Sequence, residues 1–487
     1  MMQTLDPRTC YQSLCARARR FDGLFFVGVS TTGVYCRPIC PARTPRMDRC
    51  SFYRTAAEAE LAGYRACLRC RPELAPGQAP VDSVPRLVAA AVARIDEGVL
   101  NTSSVEALAE ELGVTARHLR RALEAELGIS PVDLAQSRRL ALAKQLLHDT
   151  SLPLTEVAFA SGFQSVRRFN ALFRGRFGRP PSALRRAGGK GTPSRSLVLR
   201  LDYRPPLDWE ALLSFLRARA IPGVEHVSEG EYRRTVRWGD TSGWVVVRHA
   251  KARPALIAEV SLSLSSVLMG VASRLRALFD LDAQPALVHE ALKRDAVFEG
   301  TLRAHPGLRV PGAFDAFELT MRAVLGQQVS VQAATTLSGR LAARWGTPLE
   351  DAPGPELSRL FPTAEEVAAR TLDEVAALGM PASRANSVLG VARALVQGTV
   401  RLERDTDAAE AIAALDALPG IGPWTAHYVA MRALRWPDAF PEGDLALRKA
   451  LGGVTTKELS QRAESWRPWR AYAAMHLWAR LSLGAGG

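Results

Sequence analysis

Apolar positions along the chain keep two rhythms, one helical and one strand-like. In "SVEALAEELGVTARHLRRALEAELG" (104–128) they recur at helical spacing, which predicts a short helix ending at Gly113 and a second helix behind it. "PLTEVAFASGFQSVRRFNALFRGRFG" (153–178) repeats that layout, with Gly162 in the place of Gly113. Alternation follows in "SLVLRLDY" (196–203) and "TVRWGDTSGWVVVRH" (235–249), which predicts strands, the second a hairpin turning at Asp240–Gly243. From Ser263 onward helical patterns dominate. Two Pro-, Gly- and Ala-rich breaks, "PELAPGQAP" (72–80) and "AGGKGTPS" (187–194), read as linkers. They predict a multidomain chain: a cysteine-bearing head over 1–76, an all-α middle over 83–188, a β-rich subdomain over 195–285 and a helical domain over 286–487.

No apolar run approaches the roughly 20 residues that span a bilayer, and the N-terminus reaches Asp6 and Arg8 without an apolar core. No membrane contact, no secretory signal and a reducing, cytoplasmic location are expected. The net charge is +14, of which residues 1–190 carry +11. Between Val157 and Lys190 stand eight basic residues, among them Arg174, Arg176, Arg179, Arg185 and Arg186, and no acidic one. A polyanionic partner follows, and double-stranded DNA suits the repeat. Helix, glycine, helix is the helix-turn-helix layout, whose second helix enters the major groove. Thr115, Arg117, His118 and Arg120 are expected to face outward on the first unit, and Ser165, Val166, Arg167, Arg168 and Asn170 on the second. The competing reading is two helical hairpins packed on one another.

The seven cysteines all precede residue 71. Cys36 and Cys40 are separated by three residues, Cys67 and Cys70 by two, which suits one tetrahedral four-thiolate Zn²⁺ site. A structural role is the plain reading, since a head this small gains stability from a metal. A redox role for "CLRC" lacks the surrounding βαβ pattern. Four thiolates on one Zn²⁺ carry a net −2, so methylating one of them lowers the repulsion of nearby DNA phosphates.

With "FFVGVSTTGVYCRPICPAR" and "AGYRACLRCRP" the head resembles the zinc-bearing domain of bacterial adaptive-response regulators, and the middle resembles their AraC-type DNA-binding domain. The resemblance implies that Cys36 irreversibly takes a methyl group from a DNA methylphosphotriester, with Cys40, Cys67 and Cys70 as the remaining zinc ligands. Thr32 and Arg43 match residues near the DNA backbone. The thiol-based O6-methylguanine methyltransferase part of that family is missing, because no cysteine follows Cys70.

"LPGIGPWTAHYVAMRAL" (418–434) has the helix-hairpin-helix turn, whose backbone groups hold a DNA phosphate, often through a monovalent cation. Asp444, 20 residues beyond Trp424, precedes a helix. Alone it reads as a helix cap; beside the hairpin it reads as a carboxylate that stabilises oxocarbenium character or aligns water. The stretch 197–485 resembles 3-methyladenine DNA glycosylase II of the helix-hairpin-helix superfamily. The resemblance implies Asp444 as catalytic carboxylate and Trp424, Tyr428 and Trp478 as pocket aromatics. It further implies Gly420 and Gly422 at the DNA backbone, and main-chain oxygens of Asp416, Leu418 and Ile421 around the cation. Bifunctional members carry Lys where Trp424 stands, so a monofunctional hydrolase is implied. Gln328 occupies the position of the family's apolar DNA wedge, a departure.

The expected fold is thus a zinc-bound α+β head, an all-α AraC-type double helix-turn-helix and an α+β glycosylase whose β-rich subdomain precedes an all-α helix-hairpin-helix domain. RNA polymerase is a further expected partner, and a monomer is expected. Two alternatives stay open: a transcription factor whose C-terminal part only docks on DNA, and a reversible four-cysteine metal or redox sensor.

Overall fold

The computed structural model describes residues 6–76, 86–184, 196–404 and 406–484. It divides into two compact units, one of Met1–Pro205, Ala250–Arg276 and Leu281–Ala283, the other of Pro206–His249, Ala277–Asp280 and Gln284–Gly487. In the first unit, β1 (Phe26–Val29) pairs antiparallel with β2 (Val34–Cys36) and β3 (Cys50–Tyr53), while β4 (Arg65–Ala66) joins β2 in parallel. Cys10 and Leu14 of the helix Pro7–Cys15 close a small apolar cluster with Phe25, Val27 and Val29. So few apolar groups make a thin core, which is the condition under which a bound metal supplies stability.

The repeat folds as its periodicity predicts. Val105–Glu111 and Ala116–Leu127 form one helix pair, Leu154–Ala160 and Val166–Phe177 the other, with the helix Pro131–Asp149 between them. Gly113 and Gly162 sit at φ +69° and +87°, the left-handed region that the turn between the helices requires. Thr115 and Ser165 cap the second helices by accepting from the His118 and Arg168 amides. Phe163, Phe169, Phe173 and Phe177 stack in a buried row, so the opposite, basic face is held outward. Pro72–Leu74, read from sequence as linker, is instead a packed single turn: Glu73 pairs with the fully buried Lys144 at 2.8 Å. Residues 77–80 of that break and all of 187–194 lie outside the described residues, as do Arg185, Arg186 and Lys190.

β5 (Ser196–Asp202) and β9 (Ala255–Ser261) pair antiparallel and group with the first unit. β6 (Glu225–Ser228), β7 (Glu231–Trp238) and β8 (Thr241–His249) form a meander in the second. The hairpin turns two residues earlier than Asp240–Gly243. Trp238 faces Thr241 across Gly239–Asp240, and Gly243 lies in β8 opposite Val236. Gly239, at φ +55°, supplies the positive φ that a two-residue hairpin turn needs. Beyond it the second unit is helical around a core including Leu319, Val324, Leu341, Val388, Leu415 and Val429. Among the described residues no helix is long and apolar enough to cross a membrane.

Candidate metal centre and base pocket

Parallel pairing of β2 and β4 sets Tyr35 opposite Ala66, so the next residues, Cys36 and Cys67, end side by side. The Cys67 amide donates to the Tyr35 carbonyl at 3.0 Å, and the Cys40 amide closes its turn on the Arg37 carbonyl at 3.1 Å. All four sulfurs of Cys36, Cys40, Cys67 and Cys70 lie within 4.8 Å of one another. Zn–S bonds of about 2.3 Å place tetrahedral sulfurs about 3.8 Å apart, so the cluster fits one ion with little movement. Four thiols this close compete for protons: hydrogen bonds from Cys36, then Cys40 and Cys70, draw Cys67 down, while Cys36 and its neighbours push Cys70 up. A divalent cation satisfies all four at once. All four are buried, so exposure does not distinguish a methyl acceptor. Thr32 and Arg43 are exposed on the head. Arg37, not singled out in the sequence, donates its amide to Cys70 Sγ at 3.4 Å; its buried guanidinium is held by Asp22 and Asp202.

Of the expected helix-turn-helix contacts, Thr115, Arg117, His118, Ser165, Arg167, Arg168 and Asn170 are exposed. Arg120 also pairs with Glu106 at 2.7 Å. Arg176 leaves the basic run altogether, since it pairs with the buried Glu60 at 2.7 Å.

In the second unit, Asp444 is a helix cap and also the acceptor of two indole N–H groups. Its Oδ1 accepts the Leu447 amide at 2.9 Å and caps the helix Leu445–Ala450. Its Oδ2 accepts the Trp424 indole at 2.8 Å, and Oδ1 the Trp478 indole at 3.3 Å. Trp424 stacks on Tyr428 at 5.2 Å and 8°, and Trp478 tilts against Tyr428 at 6.5 Å. The three aromatics and the carboxylate therefore form one wall. Burial alone raises the Tyr428 phenol, but Arg432, Arg219 and Arg322 outweigh it and lower the group to about 8.

The hairpin joins the helices Ala408–Asp416 and Pro423–Arg432. Gly420 stands at φ +79°, where a Cβ would lie 2.1 Å from Ser387 Oγ, so only glycine fits. The Leu418 carbonyl accepts the Ile421 amide at 3.0 Å. Gly422 opens the second helix as its N-cap, and Asp416 is exposed at the end of the first. Gln328 is exposed at φ +55°, a left-handed strain of the kind that clusters at functional loops. Its neighbour Gln327, missed in the sequence, donates to the Gly420 carbonyl at 3.0 Å and the Thr425 hydroxyl at 2.9 Å, tying the Gln328 loop to the hairpin.

Four families match the chain in order: "Metal binding domain of Ada" over 9–73, "Helix-turn-helix domain" over 108–187, "AlkA N-terminal domain" over 198–315 and "HhH-GPD superfamily base excision DNA repair protein" over 321–468. The "Probable bifunctional transcriptional activator/DNA repair enzyme AlkA" of Mycobacterium tuberculosis is 40% identical over 487 residues, covering 98% of this chain and 97% of the relative. The chain belongs to that family. Within the AlkA family the C-terminal part is also similar to the "DNA-3-methyladenine glycosylase 2" of Escherichia coli, 38% identical over 278 residues, which cover 57% of this chain and 95% of the relative. The 3-methyladenine DNA glycosylase of Archaeoglobus fulgidus shares the fold, with a TM-score of 0.51 at 20% identity, covering 58% of this chain and 97% of that one. This AlkA-family chain is a DNA repair glycosylase joined to an Ada-type zinc head and an activator's helix-turn-helix domain; it holds one Zn²⁺ on its four clustered cysteines and acts on DNA.

Proposed function

We propose that Asp444 drives hydrolysis of the N-glycosidic bond of alkylated bases such as 3-methyladenine, and that Cys36 records damage by accepting a methyl group. The observation that carries the first part is the convergence of both indoles on the Asp444 carboxylate. A carboxylate fixed by three N–H donors cannot swing away, so its charge stays aimed at the sugar as oxocarbenium character develops. Trp424, Tyr428 and Trp478 supply stacking for an electron-poor, cationic base that is already activated as a leaving group. An indole at Trp424 forms no Schiff base, so water completes the reaction and an abasic site remains. Gln328 fills the gap left in the stack, and the carbonyls of Asp416, Leu418 and Ile421 hold a cation between the hairpin and a phosphate.

At the other end, bound Zn²⁺ keeps all four sulfurs as thiolates at neutral pH. Cys36 Sγ attacks the methyl carbon of the phosphotriester; the S–C bond forms as the C–O bond breaks, and the phosphodiester anion leaves. The cluster loses one negative charge, and phosphate repulsion falls. Promoter binding through Arg117, His118, Arg120, Arg167, Arg168 and Asn170 then strengthens, with Thr115 and Ser165 at the mouths of the reading helices. Two reading helices in one chain supply two half-site contacts without a dimer, which supports a monomer that meets RNA polymerase at the promoter. Reduced thiols suit a cytoplasmic location. Base release from methylated duplex DNA by wild type and Asp444→Asn tests the catalytic assignment.

A further inference from the structure

Three guanidiniums meet at the inner end of the aromatic wall. Arg432 donates Nη1 to the Tyr428 hydroxyl at 2.8 Å, Nε to the Pro311 carbonyl at 2.8 Å and Nη2 to the Gly312 carbonyl at 2.9 Å. Arg219, just beyond the helix Trp209–Arg217, lies 3.7 Å from the Phe215 ring centroid and donates to the Phe215 carbonyl at 3.2 Å. Arg322, on the helix Ala316–Leu325, donates to the Arg219 carbonyl. Nearby Arg234 takes Glu225 and Glu318 as counter-charges. Among the described residues Arg219, Arg322 and Arg432 form no ion pair with a carboxylate. Burial pulls Arg322 down to about 10; Tyr428 and Glu225 oppose that shift, and repulsion from Arg432 and Arg219 adds to it.

Tyr428 is 8% exposed. Its oxygen accepts from a cation, and among the described residues its proton has no acceptor. A phenol so placed is stabilised as phenolate. The charged groups that face it are Arg432 on its own helix, Arg219 and Arg322 from two other segments, and Asp444, which bonds both indoles packed on the Tyr428 ring. Asp444 opposes a second negative charge; the three guanidiniums favour it.

We propose that Tyr428 is an ionisable specificity determinant: as phenolate it balances the Arg219–Arg322–Arg432 cluster and lets the pocket favour a cationic alkylpurine over a neutral base. With Tyr428 protonated, the inner end of the pocket is net cationic and repels such a base. The proton is lost to solvent on ionisation, so selectivity rises with pH. This rests on the glycosylase reading above.

The test uses the full-length, zinc-loaded chain and single-turnover release of 3-methyladenine, cationic while bonded to the sugar, and of ethenoadenine, neutral there, from duplex DNA. Between about one pH unit below and one above the Tyr428 midpoint, the phenolate fraction rises about tenfold, and the rate ratio of the two bases is expected to follow it. Tyr428→Phe is expected to give a flat ratio. The tyrosinate difference absorbance of wild type against Tyr428→Phe is expected to show a step near 8. A ratio that still rises in Tyr428→Phe, or a Tyr428 step at the ordinary value near 10, overturns the proposal while the glycosylase reading stands. Release of neither base by wild type overturns both. Should Tyr428→Phe fail to fold, Arg219→Met leaves the phenol in place; its step must move up, and an unmoved step overturns the link.

Discussion

Asp444→Asn separates chemistry from folding at the point where the structure joins them. Asparagine caps a helix about as well as aspartate, so the Leu447 contact at 2.9 Å survives. With the amide oxygen turned to Leu447 and Trp478, the Asn NH₂ faces the Trp424 indole, donor against donor, at the 2.8 Å contact. Losing that bond costs about 1–3 kcal/mol of stability. The catalytic cost is larger. A unit carboxylate about 4 Å from a developing positive charge, at an effective dielectric near 20, contributes about 4 kcal/mol, or about a thousandfold in rate. Single-turnover release of 3-methyladenine at saturating enzyme is therefore expected to fall about a thousandfold. Binding to abasic-site DNA should stay within a fewfold, and the melting transition should drop by only a few degrees. Release within tenfold of wild type refutes the charge argument and leaves Asp444 a cap and indole anchor alone.

Cys36→Ala is expected to abolish transfer of radiolabelled methyl from phosphotriester DNA, and retained transfer shows that another thiolate is the acceptor; stripping the metal with a chelator should expose the head to proteolysis, given its thin core. Gln328→Leu is expected to tighten binding to abasic-site DNA several-fold, since an apolar wedge leaves no amide unsatisfied, and unchanged affinity removes the wedge assignment. Burial holds His476 at about 4, below its ordinary 6.5, so the unfolded chain takes up a proton that the folded one refuses. This stability is complete above the ordinary value and is lost as pH falls toward 4, about 2 kcal/mol between pH 7 and pH 5. His476→Leu should flatten urea midpoints across that window, and an equal slope in both proteins sinks the attribution.

Local features were legible because their physics is local. The cysteine pairs, the twin helix-turn-helix repeats and the hairpin "LPGIG" each depend on neighbours within a few residues, and all three sit where their spacing predicts. The hairpin between β7 and β8 turns two residues before the position its sequence predicts, since Asp-Thr-Ser-Gly and Gly-Asp both look like turns until cross-strand register chooses one. Arg176 and Glu73 depart from their sequence context for a different reason. A charged residue in a basic run or a Pro-rich stretch carries no sign of the partner that buries it, here Glu60 and Lys144.

By itself the sequence determined the modular order, the metal ligands and the candidacy of Asp444, because turn geometry and residue chemistry at close spacing leave few alternatives. Only the tertiary structure decided that Asp444 is both cap and indole acceptor, that Gln327 ties the Gln328 loop to the hairpin, and that Arg219, Arg322 and Arg432 converge on one phenol. Those groups come from segments up to about 200 residues apart in sequence, and a pocket's field is the sum over whatever packing brings within a few ångströms.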